Sequence, residues 1–149
     1  MTADRRARRG HDHGREALYA AELAAFDGTG YEAVVPLADL AGLADRITSA
    51  AWWPCGHIAV VAARADAASS TTRHRPGKTP VIRIAAGQCT PATLLHELAH
   101  VLAGPDAGHG PRYRRAYLDL VRFCWGDEPA RWLRAEFDVH RLAVGDRAW

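Results

Sequence analysis

The chain has 149 residues and a mass of 16.2 kDa, enough for one domain that buries roughly 68–70% of the surface its unfolded chain exposes. Apolar residues make up 48% and charged residues 24%, which excludes a disordered, collagen-like or coiled-coil chain. Lys and Arg number 19 against 17 Asp and Glu, and the net charge of +2 is too small to make the whole domain a nucleic-acid binder.

The apolar runs fall well short of the ~18–20 residues that span a bilayer, and the first residues carry no apolar signal segment. A cytoplasmic protein with no membrane partner is expected. Cys55, Cys89 and Cys124 are odd in number and contain no C-x-x-C pair, which fits reduced thiols better than disulfides or a zinc ribbon.

Residues 1–15 are rich in arginine, lack apolar periodicity and read as a solvated, disordered basic tail, with His11 and His13 as a weak alternative metal-capture pair. The remainder, 16–149, reads as one domain. Residues 15–26 place Leu18, Ala21, Leu23, Ala25 and Phe26 among strong helix formers, and Asp27-Gly28-Thr29-Gly30 stops them. In residues 37–51, Leu40, Leu43, Ala44 and Ile47 recur at the spacing of one buried helix face. Trp52-Trp53-Pro54 then breaks the helix and anchors the next turn.

Residues 57–63 and 81–85 are β-rich, and the second run alternates Ile82 and Ile84 against Val81, Arg83 and Ala85; they predict paired strands in a small, mainly antiparallel sheet. Residues 65–80 between them read as a flexible loop whose segment Arg73-His74-Arg75-Pro76-Gly77-Lys78 is strongly basic. Thr90-Pro91 is a strong helix start, and Leu94, Leu95, Leu98, Val101 and Leu102 continue at helical spacing to Gly104-Pro105. Two further helices are predicted over 111–123 and 129–142.

His96-Glu97-Leu98-Ala99-His100 is an H-E-x-x-H motif inside a predicted helix, the context in which it carries meaning. Imidazoles four residues apart lie about 6 Å apart along the axis and can converge on one Zn²⁺. Glu97 then stands beside the ion, where it suits a general base that takes a proton from zinc-activated water. A catalytic zinc needs a third ligand. Asp106 sits at the metzincin interval, but Ala103 occupies that motif's glycine place and the sole methionine is Met1, so no Met-turn exists. His109 follows a glycine-rich stretch that can fold back on the helix, and it is favoured over Asp106 and over the distant Glu136.

The segment Leu94-Leu95-His96-Glu97-Leu98-Ala99-His100, with His109-Gly110-Pro111-Arg112-Tyr113 and Tyr117-Leu118-Asp119-Leu120, resembles a metallohydrolase family of actinobacteria and their phages. More distantly, H-E-x-x-H followed by H-G-P-x-aromatic is similar to the SprT-like zinc metallopeptidases. The similarity runs from Leu18-Tyr19-Ala20-Ala21-Glu22 to the last helix, and its specific part is the metal segment. The resemblance implies an α+β, zincin-like fold, one zinc on His96, His100 and His109, and Glu97 as catalytic base. The cysteine-rich zinc ribbon of many SprT-like proteins is absent.

The function expected is a zinc-dependent hydrolase, a metallopeptidase acting on a peptide or protein. The alternative is a catalytically silent zincin-fold module that binds protein or, with weaker support, nucleic acid, and it draws on the basic tail and loop. Asp119, Glu136 and Asp138 are the acids expected to hold the outer nitrogens of the zinc-binding imidazoles. Tyr113, Arg112 and His140 are candidates for oxyanion stabilisation, with Tyr113 expected to pack behind His109 instead. The strand at 81–85 is the expected peptide-pairing edge, and Cys89 is expected to be an inert buried thiol rather than an inhibitory ligand.

Overall fold

The structure, a computed structural model, describes residues 4–149, with side chains described from Gly14 onward. It is α+β, with helices α1 (Asp4–Phe26), α2 (Leu37–Thr48), α3 (Pro91–Ala103), α4 (Pro111–Trp125) and α5 (Asp127–Val139) and strands β1 (Ala59–Ala62), β2 (Thr71–Arg73) and β3 (Val81–Ile84). Helix α1 starts at Asp4 rather than Arg15, an extension that its Arg and Ala residues, strong helix formers, favour. Residues 1–3 of the basic tail, and the side chains of His11 and His13 with their metal-capture reading, lie outside the described residues.

Helix α3 is the centre of the domain. Its residues from Leu94 to Leu98 are all buried, as are Ala99, Val101 and Leu102, so it is apolar nearly all round and covered on every side. Helices α4 and α2, strands β2 and β3 and the 3₁₀ turn Gly30–Glu32 pack against it, while α5 packs on both α1 and α4. Tyr113, Tyr117, Phe26, Phe137 and Leu18 are fully buried where these helices meet, and burying each such side chain stabilises the fold by about 1.5–3 kcal/mol. Trp53 is buried and donates its indole N–H to the Gly56 carbonyl at 2.8 Å, which makes it the anchor expected at the end of α2.

The sheet corrects two expectations. Its order is β1-β3-β2; β1 pairs with β3 in parallel (Ala59 opposite Val81) and β2 pairs with β3 antiparallel (Thr72 opposite Ile82), so the sheet is mixed. The three short strands alternate in direction, but the last inserts between the first two instead of adding at an edge, and this makes its pairing with β1 parallel. The residues read as a flexible loop contain β2. Strand β3 buries Ile82 and Ile84 as the alternation requires, yet it is hydrogen-bonded on both sides and cannot pair with a peptide. The edge strand nearest the site is β2 instead.

Candidate metal centre

Thr90 caps α3 by accepting the Thr93 N–H at 3.1 Å, with Pro91 at the first helical position; this fixes where the helix begins and therefore which way His96 and His100 face. The helix ends at Gly104, whose φ of 93° only glycine adopts without strain. The next residues turn back through Gly108, φ 53°, and a Gly110 N–H to Ala107 carbonyl bond of 3.0 Å. Arg114, in the first turn of α4, holds the returning chain by donating Nη1–H to the His109 carbonyl at 2.9 Å and Nε–H to the Ala143 carbonyl at 2.6 Å. His109 is thereby placed against α3.

One ligand atom from each of His96, His100 and His109 lies within 4.8 Å of the others, close enough to hold a metal ion. Nε2 of His96 and Nε2 of His109 face each other at 3.4 Å. Two imidazole nitrogens bound at about 2.0–2.1 Å to a tetrahedral ion stand ~3.3–3.4 Å apart, so this pair already has the separation of two corners of a zinc site. Neither Asp106 nor Glu136 joins this group among the described residues, and nor does Cys89, a buried thiol that burial and Asp39 push up and away from the thiolate form.

The carboxylate behind His96 is Glu22 of α1, not one of the three downstream acids. Glu22 accepts from His96 Nδ1 at 3.0 Å and from the Tyr117 hydroxyl at 2.5 Å, and it is buried together with both. A carboxylate oxygen accepting at Nδ1 fixes the proton there and leaves the Nε2 lone pair directed at the site. Burial pulls the His96 imidazole down, but the Glu22 charge and hydrogen bond, with Glu97, push it up overall. Three residues before Glu22, the Tyr19 ring stacks on His96 at 5.3 Å and meets His109 edge-on at 5.9 Å. Tyr113 packs behind all three histidines and donates its hydroxyl to the His96 carbonyl at 3.0 Å, which is the packing role expected of it.

The other expected acids serve elsewhere. Asp119 accepts two bonds from Arg147 and one from the Trp149 indole, which pins the C-terminal segment to α4; Glu136 and Asp138 lie beside His140 and Arg134 on α5. Neither Glu22 nor Tyr19 was singled out by sequence pattern. A signal was present: Glu22 falls four residues from both Leu18 and Phe26, on the buried stripe of α1, whereas Leu23, read as an apolar contact, is 57% exposed. An acid on an apolar stripe needs a buried partner.

Glu97 is buried, and its Oε2 accepts from the Thr72 hydroxyl at 2.5 Å; the same hydroxyl lies 3.1 Å from the Glu97 carbonyl. Strand β2 thus orients the glutamate. Burial raises the Glu97 carboxyl above its ordinary range against the opposing pull of His96 and Thr72, the direction a general base near neutral pH requires.

Burial, followed by the neighbouring His96 and His109 rings, holds His100 down at about 3. Since an unfolded histidine titrates near 6.5, the metal-free folded chain refuses a proton that the unfolded chain accepts as pH falls. The contribution of His100 to stability is therefore full above about pH 6.5 and is lost as pH falls toward 3. His96, raised by Glu22, works in the opposite sense: its contribution is full below its unfolded value and is lost as pH rises through its folded one. For the metal-free protein, the fall in Tm between about pH 7 and about pH 4 should be smaller in His100→Gln than in the wild type. Equal falls in both would place the acid lability elsewhere.

Beside the triad a cavity of about 360 Å³ is walled in part by His96, Glu97, Glu22 and Glu32. Burial, with Glu22 and Asp27, pushes the Glu32 carboxyl up to about 7.

No family model, curated protein or solved structure matches this chain. No helix among the described residues is long and apolar enough to cross a membrane.

Proposed function

We propose that the protein is a zinc-dependent hydrolase of zincin-like fold, acting as a metallopeptidase, with the ion on His96, His100 and His109 and Glu97 as general base. The observation that carries this reading is the constellation itself: three imidazoles converging from α3 and the following loop, one oriented by a buried carboxylate, with a buried glutamate beside them. Three protein ligands leave a fourth tetrahedral position open, as in catalytic rather than structural zinc sites. The donor set suits zinc, and the 3.4 Å separation of two of its nitrogens fits the ion's bond lengths.

When bound, zinc supplies a Lewis acid and brings the pKa of bound water to about 7. The chain's own residues do the rest. Glu97, held by Thr72, takes the proton of the attacking water on its carboxylate and passes it to the leaving amine. Glu22 and Tyr117 keep His96 in one tautomer and one orientation. Tyr19 packs on His96 and His109, and the buried Tyr113 packs on all three imidazoles, so the rings are braced in place. The free edge of β2, whose Thr72 touches Glu97, would pair with an extended peptide in the role first assigned to β3.

The test is metal content by elemental mass spectrometry after zinc loading. One zinc per chain is expected in the wild type and in Glu97→Gln, with much weaker retention in His109→Ala. A wild-type protein that takes up no metal would end the hydrolase reading.

A second reading, a catalytically silent nucleic-acid-associated module, is favoured by one observation. Arg73, Arg75, Lys78 and Arg83 line a single cavity of about 320 Å³ whose wall contains no acid among the described residues. It requires oligonucleotide binding that weakens steeply with salt and survives Glu97→Gln.

A further inference from the structure

The cavity beside the triad shares His96 and Glu97 as part of its wall, so a substrate that meets Glu97 places part of itself in this space. Among the described residues, its charged wall groups besides His96 are Glu22, Glu32 and Glu97, and no Lys or Arg lines it. Two of these carboxylates are already engaged, Glu22 by His96 and Tyr117 and Glu97 by Thr72. Glu32 makes no hydrogen bond or ion pair among the described residues.

Glu32 stands on a 3₁₀ turn held by the Ala33 N–H to Gly30 carbonyl bond of 3.3 Å and by the Thr29 hydroxyl, which accepts the Tyr31 N–H. Two wall residues, Leu23 and Val34, are 57% and 68% exposed and offer apolar surface. Another part of the wall is cross-braced: Gln88 accepts the Ser70 N–H at 2.7 Å, and the Ser70 hydroxyl accepts the Ala85 N–H at 2.9 Å. The space is thus built before any substrate arrives, apolar in one part and carrying an unengaged carboxylate in another.

We infer that this cavity is a substrate subsite for a cationic side chain, a lysine or arginine whose charged head meets Glu32 and whose hydrocarbon stem lies along Leu23 and Val34. Such side chains combine an apolar stem with a charged tip, the combination that these walls complement. An arriving cation would also offset the burial and the Glu22 and Asp27 charges that hold the empty Glu32 carboxyl up. The inference rests on the hydrolase reading, because it places the substrate at Glu97.

The test uses the zinc-loaded protein and three linear hydroxamates that chelate the metal and differ only at the far end: aminocaproyl hydroxamate (ammonium), caproyl hydroxamate (methyl) and adipic acid monohydroxamate (carboxylate). Their affinities are measured by isothermal titration calorimetry. The ammonium-ended compound should bind about ten-fold more tightly than the methyl-ended one. This preference should vanish in Glu32→Gln and turn toward the carboxylate-ended compound in Glu32→Lys. Unchanged affinity for the methyl-ended compound shows that the variants keep the site. Equal wild-type affinity for all three, or an ammonium preference that persists in Glu32→Gln, overturns the subsite and leaves the hydrolase reading standing. Binding of none of them to protein that holds zinc overturns both.

Discussion

Replacing Glu97 with glutamine is expected to lower turnover by roughly 10²–10⁴-fold while one zinc ion per chain is retained. The substitution keeps the shape and leaves an amide oxygen to accept the Thr72 hydroxyl, but it removes the only group at that position able to carry a proton between water and leaving amine. Glu97 is not among the three residues whose ligand atoms cluster, so the metal should be indifferent to the change. Turnover is followed on a mixture of quenched fluorescent peptides, with metal content measured on the same samples. Activity within ten-fold of wild type would mean that another group is the base. Loss of zinc in this variant would mean that Glu97 is itself a ligand.

Glu22→Ala should weaken zinc binding by roughly 10–100-fold, although Glu22 is not a ligand. The carboxylate holds the His96 Nδ1 proton and accepts the Tyr117 hydroxyl, and all three groups are buried. Its removal frees the His96 ring to rotate or change tautomer, leaves the His96 Nδ1–H without its acceptor at about 1–3 kcal/mol, and leaves the Tyr117 hydroxyl only the Ala92 carbonyl at 3.5 Å. Zinc affinity and Tm should therefore fall together. Glu22→Gln keeps an oxygen for one donor and should lie between wild type and Glu22→Ala in both measurements. Competition with a chromophoric chelator reads the affinity and a thermal melt of the metal-free protein reads the stability. A Glu22→Ala protein that binds zinc as tightly as wild type would show that packing by Tyr19 and Tyr113 alone orients His96.

These two residues mark where sequence reading succeeds and where it stops. Glu97 lies inside a local motif: its neighbours at one residue before and three after are the two α3 histidines that meet His109, and a helix of known pitch converts that spacing into a shared face. His109 was reachable as well, since glycines around it permit the turn that returns the chain to α3. Glu22 lies 74 residues from the histidine it holds, and no spacing rule spans that distance. Thr72 is likewise 25 residues from Glu97, in a segment whose Pro, Gly and basic residues point to a loop; Thr71 and Thr72 are β-branched and suit a strand, but so short a run becomes β2 only because β3 offers it a partner.

The sequence by itself determined the α+β class, the position of α3 through its Thr90-Pro91 start and Gly104 stop, and three of the residues that meet at the site. Each of these follows from interactions within a few residues: a cap, a periodic face, a turn that only glycine makes easily. The tertiary structure alone decided that the sheet is mixed, that β2 rather than β3 has the free edge, and that α1 supplies both the carboxylate and a ring against His96. The physical reason is that strand order and helix contacts depend on which distant surfaces bury one another. Many pairings satisfy the same local pattern, and burial of Glu22 between His96 and Tyr117 satisfies three polar groups at once that water no longer reaches.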